Sequence, residues 1–185
     1  PVISRVFRTT SDFLTYEIKL LKEVSPMDRS ILKDIGLYKR RLAEAFLGSE
    51  AICRALMDSR YSQEAASSLM YAQIFPWLSL DEEETAVLPF LLFDVDVKEG
   101  SSSTVKQMCI TVEACCHKDC MDYALEGFAG NRADILADLA ERAIRGCESF
   151  GIGCLHLDSS THKAYHGKYY GRQIVFSVPD FRMKG

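Results

Sequence analysis

Three sets of side chains in this sequence have the types and spacings from which chemistry is built. Cys116-x3-Cys120 and His162-x3-His166 each have the spacing of a ligand pair for tetrahedral zinc, which takes thiolate sulfur and imidazole nitrogen. The two pairs lie far apart in sequence, and the plainer reading makes the cysteines small half-buried apolar residues and the histidines solvated loop residues. Asp94, Asp96 and Glu113 form the second set. Carboxylates on neighbouring strands are how nucleases hold magnesium beside a phosphodiester. Such a site adds a lysine near its last carboxylate, whereas Ala114 and Cys115 follow Glu113 and the next lysine is Lys118. Acids on the wet face of an amphipathic strand account for the same pattern. The third set is Tyr165, Tyr169 and Tyr170 beside Lys163, Lys168 and Arg172, which suits base stacking or a protein contact surface. No G-x-S-x-G elbow or H-E-x-x-H helix is present. Gly151-Ile152-Gly153 lacks the third glycine and the strand-before-helix setting of a dinucleotide loop.

The elements that must position these groups follow from periodicity. Asn131 caps a helix in which Ile135, Leu136, Leu139, Ala140, Ala143 and Ile144 recur at helical spacing, and Gly146 ends it. Leu155 and Leu157 then alternate with polar residues, as do Ile174, Phe176 and Val178 with their neighbours, which predicts two strands with a loop from His162 to Tyr170 between them. Upstream, Leu91, Phe93, Val95 and Val97 share one strand face and Asp94 and Asp96 the other. A hairpin tip from Lys98 to Lys106, carrying Glu99, leads to a second strand through Met108, Ile110, Val112 and Ala114.

Before Phe75-Pro76-Trp77, where proline interrupts helix, the chain reads as helical. Ser11 and Asp12 precede a short helix through Val24, after an extended start. Ser25-Pro26-Met27-Asp28 then caps a longer helix with the stripe Ile31, Ile35, Tyr38, Leu42 and Phe46, ending at Gly48. Ser49 caps another, and Ser62 starts a further turn. The acidic run Asp81, Glu82, Glu83, Glu84 predicts a solvated loop. The expected class is α+β: a mostly antiparallel sheet of about four strands covered by a helix, residues 74–185, preceded by a helical segment, residues 1–73.

At 185 residues and 48% apolar content the chain can bury a core. A net charge of −4 disfavours nucleic-acid binding through a basic face. Seven cysteines at scattered spacing suit reduced thiols better than a disulfide framework. The sequence has neither a basic-then-apolar leader nor a long apolar run, so export by a signal peptide and membrane insertion are not expected. The expected setting is a cytoplasm.

The segment from Arg132 through "FGIGCLHLDSS" to "YYGRQIVFSVPDF", preceded by "IFPWLSLDEEETAVLPFLLFDVDV" and a charged hairpin, resembles the tail-terminator or neck (head-tail joining) proteins of tailed bacteriophages and prophages. The resemblance covers roughly residues 74 to 181. It implies a structural virion protein without catalytic residues or cofactor, assembled in the bacterial host cytoplasm. Its homo-oligomer is a ring, commonly a hexamer, that ends the tail tube and joins it to the head connector or completion protein. The loops expected to carry such contacts hold Asp81, Glu82, Glu83, Lys98, Glu99, Lys106, Tyr165, Tyr169 and Tyr170. The competing readings are a metal-dependent nuclease, a zinc-binding protein through Cys116, Cys120, His162 and His166, and a monomeric binding module working through its aromatic loop.

Overall fold

The computed structural model describes residues 31–102, 105–145 and 150–181. The expected helix of Ser11 to Val24, the Ser25 to Asp28 cap and the Gly146 stop lie outside these residues.

Helix α1 (Ile31–Gly48) presents Tyr38, Leu42 and Phe46 at helical spacing, and all three are buried. Ser49 starts α2 (Glu50–Met57), its hydroxyl accepting from the Ile52 N–H at 3.4 Å. Short 3-10 turns follow at Asp58–Arg60 and Ala65–Leu69, the second begun by the Ser62 hydroxyl, which accepts from the Ala65 N–H at 3.1 Å. Helix α3 (Arg132–Arg145) is capped as its sequence predicts: the Asn131 side-chain oxygen accepts from the Asp134 N–H at 3.1 Å. Arg142 bonds Asp138 at 3.0 Å and Arg145 bonds Glu141 at 2.8 Å, four residues back along the wet side of α3.

The sheet has five strands: β1 (Ile74–Phe75), β2 (Pro89–Ser102), β3 (Val105–His117), β4 (His156–Tyr165) and β5 (Tyr169–Phe181), in the order β1-β2-β3-β5-β4. All neighbours are antiparallel except β1 and β2. The register stacks Phe93 on Val112 and Ile174, and Val95 on Ile110 and Phe176. These rows form one core with Leu42, Phe46, Ile52 and Leu56 of α1 and α2 and with Ile135, Leu136 and Ile144 of α3. Three helices therefore cover this face, not α3 alone. Phe46 meets Phe93 edge-to-face with centroids 5.6 Å apart; burying a side chain of this kind stabilises by about 1.5–3 kcal/mol.

The other face of β2 is also buried at one end. Phe90, Leu92, Cys115 and Tyr169 form a second cluster, covered by Leu80 and by the partly buried Phe75, Leu78, Ala86 and Leu88. The segment from Phe75 to Leu88 thus folds under the sheet.

Two strands run further than the apolar alternation indicates. Glu99 pairs with Lys106 inside the β2–β3 ladder, so the hairpin tip is shorter than the stretch from Lys98 to Lys106. The expected loop from His162 to Tyr170 is instead a tight hairpin: Tyr165 pairs with Tyr169 across a turn at His166 and Gly167, both with left-handed backbone. No helix among the described residues is long and apolar enough to cross a membrane.

Candidate interaction surfaces

The first surface grows out of the turn before β1. Tyr71 adopts φ of +62°, and its N–H donates to the Ile74 carbonyl at 2.9 Å. The buried Gln73 amide fixes the turn by donating to the carbonyls of Leu56 at 2.8 Å and Pro89 at 2.9 Å. Three residues after Gln73, Pro76 has no N–H to extend the ladder, and the chain drops beneath the sheet. This leaves Tyr71 65% and Trp77 42% exposed, stacked at 6.0 Å with an interplanar angle of 25°.

The aromatic series continues inward. Trp77 meets Phe75 at 5.1 Å, Phe75 meets Phe90 at 6.1 Å, Phe90 meets Tyr169 at 5.7 Å and Tyr169 meets His117 at 5.2 Å. Beside its outer end lies a groove of about 510 Å³ lined by Phe75, Trp77, Ser79, Leu80, Asp81 and Glu84. Local backbone bonds set its carboxylates. Asp81 accepts from the Glu83 N–H at 3.0 Å, and one oxygen of Glu84 accepts from Thr85 at 2.8 Å and Ala86 at 2.7 Å. The Tyr169 hydroxyl donates to the Ala86 carbonyl at 2.8 Å. Burial, and secondly the charge of Glu84, pushes that phenol up to about 12, so it stays a donor.

The second surface is the pair of sheet edges. β1 pairs only with Leu91 and Leu92, so beyond Leu92 no strand among the described residues occupies the outer edge of β2. At the opposite side, none occupies the outer edge of β4. An unpaired edge offers a row of backbone donors and acceptors. Asp96 and Lys98 are exposed along β2, and His156, Thr161 and His162 along β4.

The sequence-predicted residues fall as follows. Asp94 pairs with Lys39 of α1 at 2.6 Å. Glu113 is 2% exposed and accepts from the Gln173 amide, with Lys163 at 3.8 Å. Its second oxygen has no hydrogen-bond partner, and burial lifts its carboxyl above the usual range, outweighing Gln173 and Lys163, which pull it down. Asp94 and Glu113 are thus each engaged with protein partners, and Asp96 lies one alternate residue further along β2.

Cys116 is buried opposite Tyr170 in the β3–β5 ladder, and Cys120 sits in the 3-10 turn Lys118–Cys120. Burial pushes both thiols up, and Cys115 to about 12. His162 belongs to β4 and lines a cleft of about 150 Å³ with Tyr170 and the Arg172–Asp134 ion pair, 3.1 Å. His166 is in the hairpin turn, its Nε2 3.3 Å from the Leu80 carbonyl. Among the described residues no group of three or more His, Cys, Asp and Glu is arranged to hold a metal ion.

Of the contact residues, Asp81, Glu82, Glu83 and Lys98 are exposed as expected. Two are not. Lys106 lies inside β3 and is buried, its ammonium bonded to Asp34 of α1 and 3.9 Å from Asp180. Tyr169 is a core residue. Both corrections have one cause: the strands extend to the turns, so alternate residues there point inward. Tyr165 and Tyr170 are half-buried.

Sequence reasoning passed over three residues. Trp77 was legible only as part of a helix-breaking Phe-Pro-Trp, although a tryptophan in a proline-interrupted segment is itself a contact signal. Tyr71 gave no signal, because its exposure follows from a left-handed turn. Arg132, at the first position of an otherwise regular helix, is 6% exposed and pairs with Asp58 at 2.6 Å. Its guanidinium lies 4.6 Å from the Tyr123 ring centroid.

No curated protein matches the chain. A family description does match, over residues 49–178, a span from the cap of α2 into β5 that holds both the aromatic groove and β4. Its name is of the kind given to Bacillus phage and prophage genes, which suggests a phage-associated protein. The chain belongs to the YomW family.

Proposed function

We propose that this phage-associated chain is a structural virion protein of the neck or tail. It forms a closed homo-oligomeric ring that ends the tail tube and meets the head connector, and it has no catalytic role. The observation that carries the reading is the sheet with both outer edges unpaired among the described residues, β2 beyond Leu92 on one side and β4 on the other. A contact between two different surfaces of identical subunits is head-to-tail, and it closes into a ring when the rotation per step divides a full turn. The exposed Asp96 on β2 supplies a charge that such a contact can use. The resemblance of residues 74 to 181 to tail-terminator and neck proteins supports the same assembly, a hexamer being the form it implies.

The test is association of an edge variant. Asp96 is exposed, so Asp96→Lys should leave the circular dichroism spectrum and melting temperature unchanged and weaken self-association by about tenfold, read by sedimentation velocity. Unaltered association in this variant and in Thr161→Pro, which interrupts β4, would overturn the contact.

A further inference from the structure

We infer that the groove beside Trp77 is a receptor for an arginine or lysine side chain presented by a basic segment of a different protein. Two kinds of wall support this. The first kind is aromatic, the half-exposed Trp77 and Phe75, with Tyr71 stacked on the indole. The second kind is acidic, Asp81 and Glu84, with Glu82 and Glu83 exposed in the same run. A ring face attracts a cation through its quadrupole, and tryptophan does so best. Carboxylates add charge-assisted hydrogen bonds, and a guanidinium can use both walls at once because it is planar. The groove is large enough for one long side chain with its backbone outside.

Its carboxylates are held by backbone N–H groups, not by cations: Asp81 takes the Glu83 N–H, and Glu84 takes those of Thr85 and Ala86. Among the described residues neither forms an ion pair within 4.0 Å. The chain's net charge is −4, and among the described residues Arg40, Arg54, Arg142 and Arg145 each pair with a carboxylate four residues away on the same helix. Charge complementarity therefore points outward, to a basic partner protein. Asp81 and Glu84 of the groove and Asp96 of the strand edge are different residues, so variants test the two readings separately.

Trp77 is the only tryptophan of the chain, and its emission reports the groove directly. The full chain is titrated with acetyl-Gly-Arg-Gly-Arg-Gly-amide and with the matching Gln-for-Arg peptide, while sedimentation velocity follows its oligomeric state. The arginine peptide is expected to give a saturable emission change that weakens with salt, and the glutamine peptide none. The double variant D81N/E84Q keeps the oxygens that accept from the backbone and removes the charge; it should bind the arginine peptide at least tenfold more weakly, with unchanged melting temperature. Equal response to both peptides, no saturable response, or undiminished affinity in D81N/E84Q would overturn the proposal. Dissociation of the oligomer by the arginine peptide would also overturn it, since the occupant would then be a second copy. Loss of the oligomer in Asp96→Lys with peptide binding intact would count against the ring alone.

Discussion

Arg132 joins three parts of the chain through one side chain. From the first turn of α3 it reaches Asp58 after α2, the Ala55 carbonyl at 3.4 Å and the Asp122 carbonyl at 3.4 Å, with Tyr123 against its face. Its Nε is buried without a partner, so the site already carries one unsatisfied donor. Removing the guanidinium would strand two carbonyls and the ring, and Arg132→Ala should cost about 2–3 kcal/mol in urea unfolding. Lysine keeps the charge but not the fork, and should recover less than half of that loss.

Glu113 behaves in the opposite sense. Burial makes the folded chain hold this proton more tightly than the unfolded chain does. Stability from the protonated form is fully present below the unfolded glutamate range and is lost as pH rises through the higher folded value. Glu113→Gln should therefore raise stability at neutral pH by about 1 kcal/mol and flatten its dependence on pH above the ordinary carboxylate range. Urea melts across a pH series check this; a destabilised variant at neutral pH would assign the carboxylate a favourable role.

At the scale of elements, the β3–β5 pairing depends on Gly171. A Cβ there would lie 1.9 Å from the Ala114 carbonyl oxygen and 2.7 Å from the Cys115 Cα, both backbone atoms that cannot step aside. Gly171→Ala should cost about 3 kcal/mol, roughly a 10 °C fall in melting temperature for a chain of this size.

The same strands mark the limit of what periodicity can reveal. Helix α3 and the centres of β2, β3 and β5 were readable because one face of each is apolar. β4 has only Leu157 and Ala164 as apolar residues among polar ones before Tyr165, because an outer strand beyond the helices needs no buried row. β1 is two residues long, too short for any alternation. The site followed the same rule. The exposed acids Asp81 to Glu83 were legible from charge, whereas burial of Lys106 depends on Asp34 and Asp180, distant in sequence, and the exposure of Tyr71 on a single backbone angle.

For the whole molecule, the helices of residues 31–57 and the sheet share one core, so the described residues form a two-layer body with an additional apolar cluster beneath one end of the sheet. Such a body presents its helix layer, its partly open second face and its two strand edges to neighbours. The proposed head-to-tail contact uses the edges, and the proposed basic partner the groove beside Trp77. The central claim is that the chain is built into the particle. The most direct measurement is calibrated mass spectrometry of gradient-purified virions, counting copies of this chain per particle. The account predicts a fixed copy number equal to one ring, six for a hexamer. Absence of the chain from purified particles, while it is abundant in the soluble fraction of the producing cells, would contradict it.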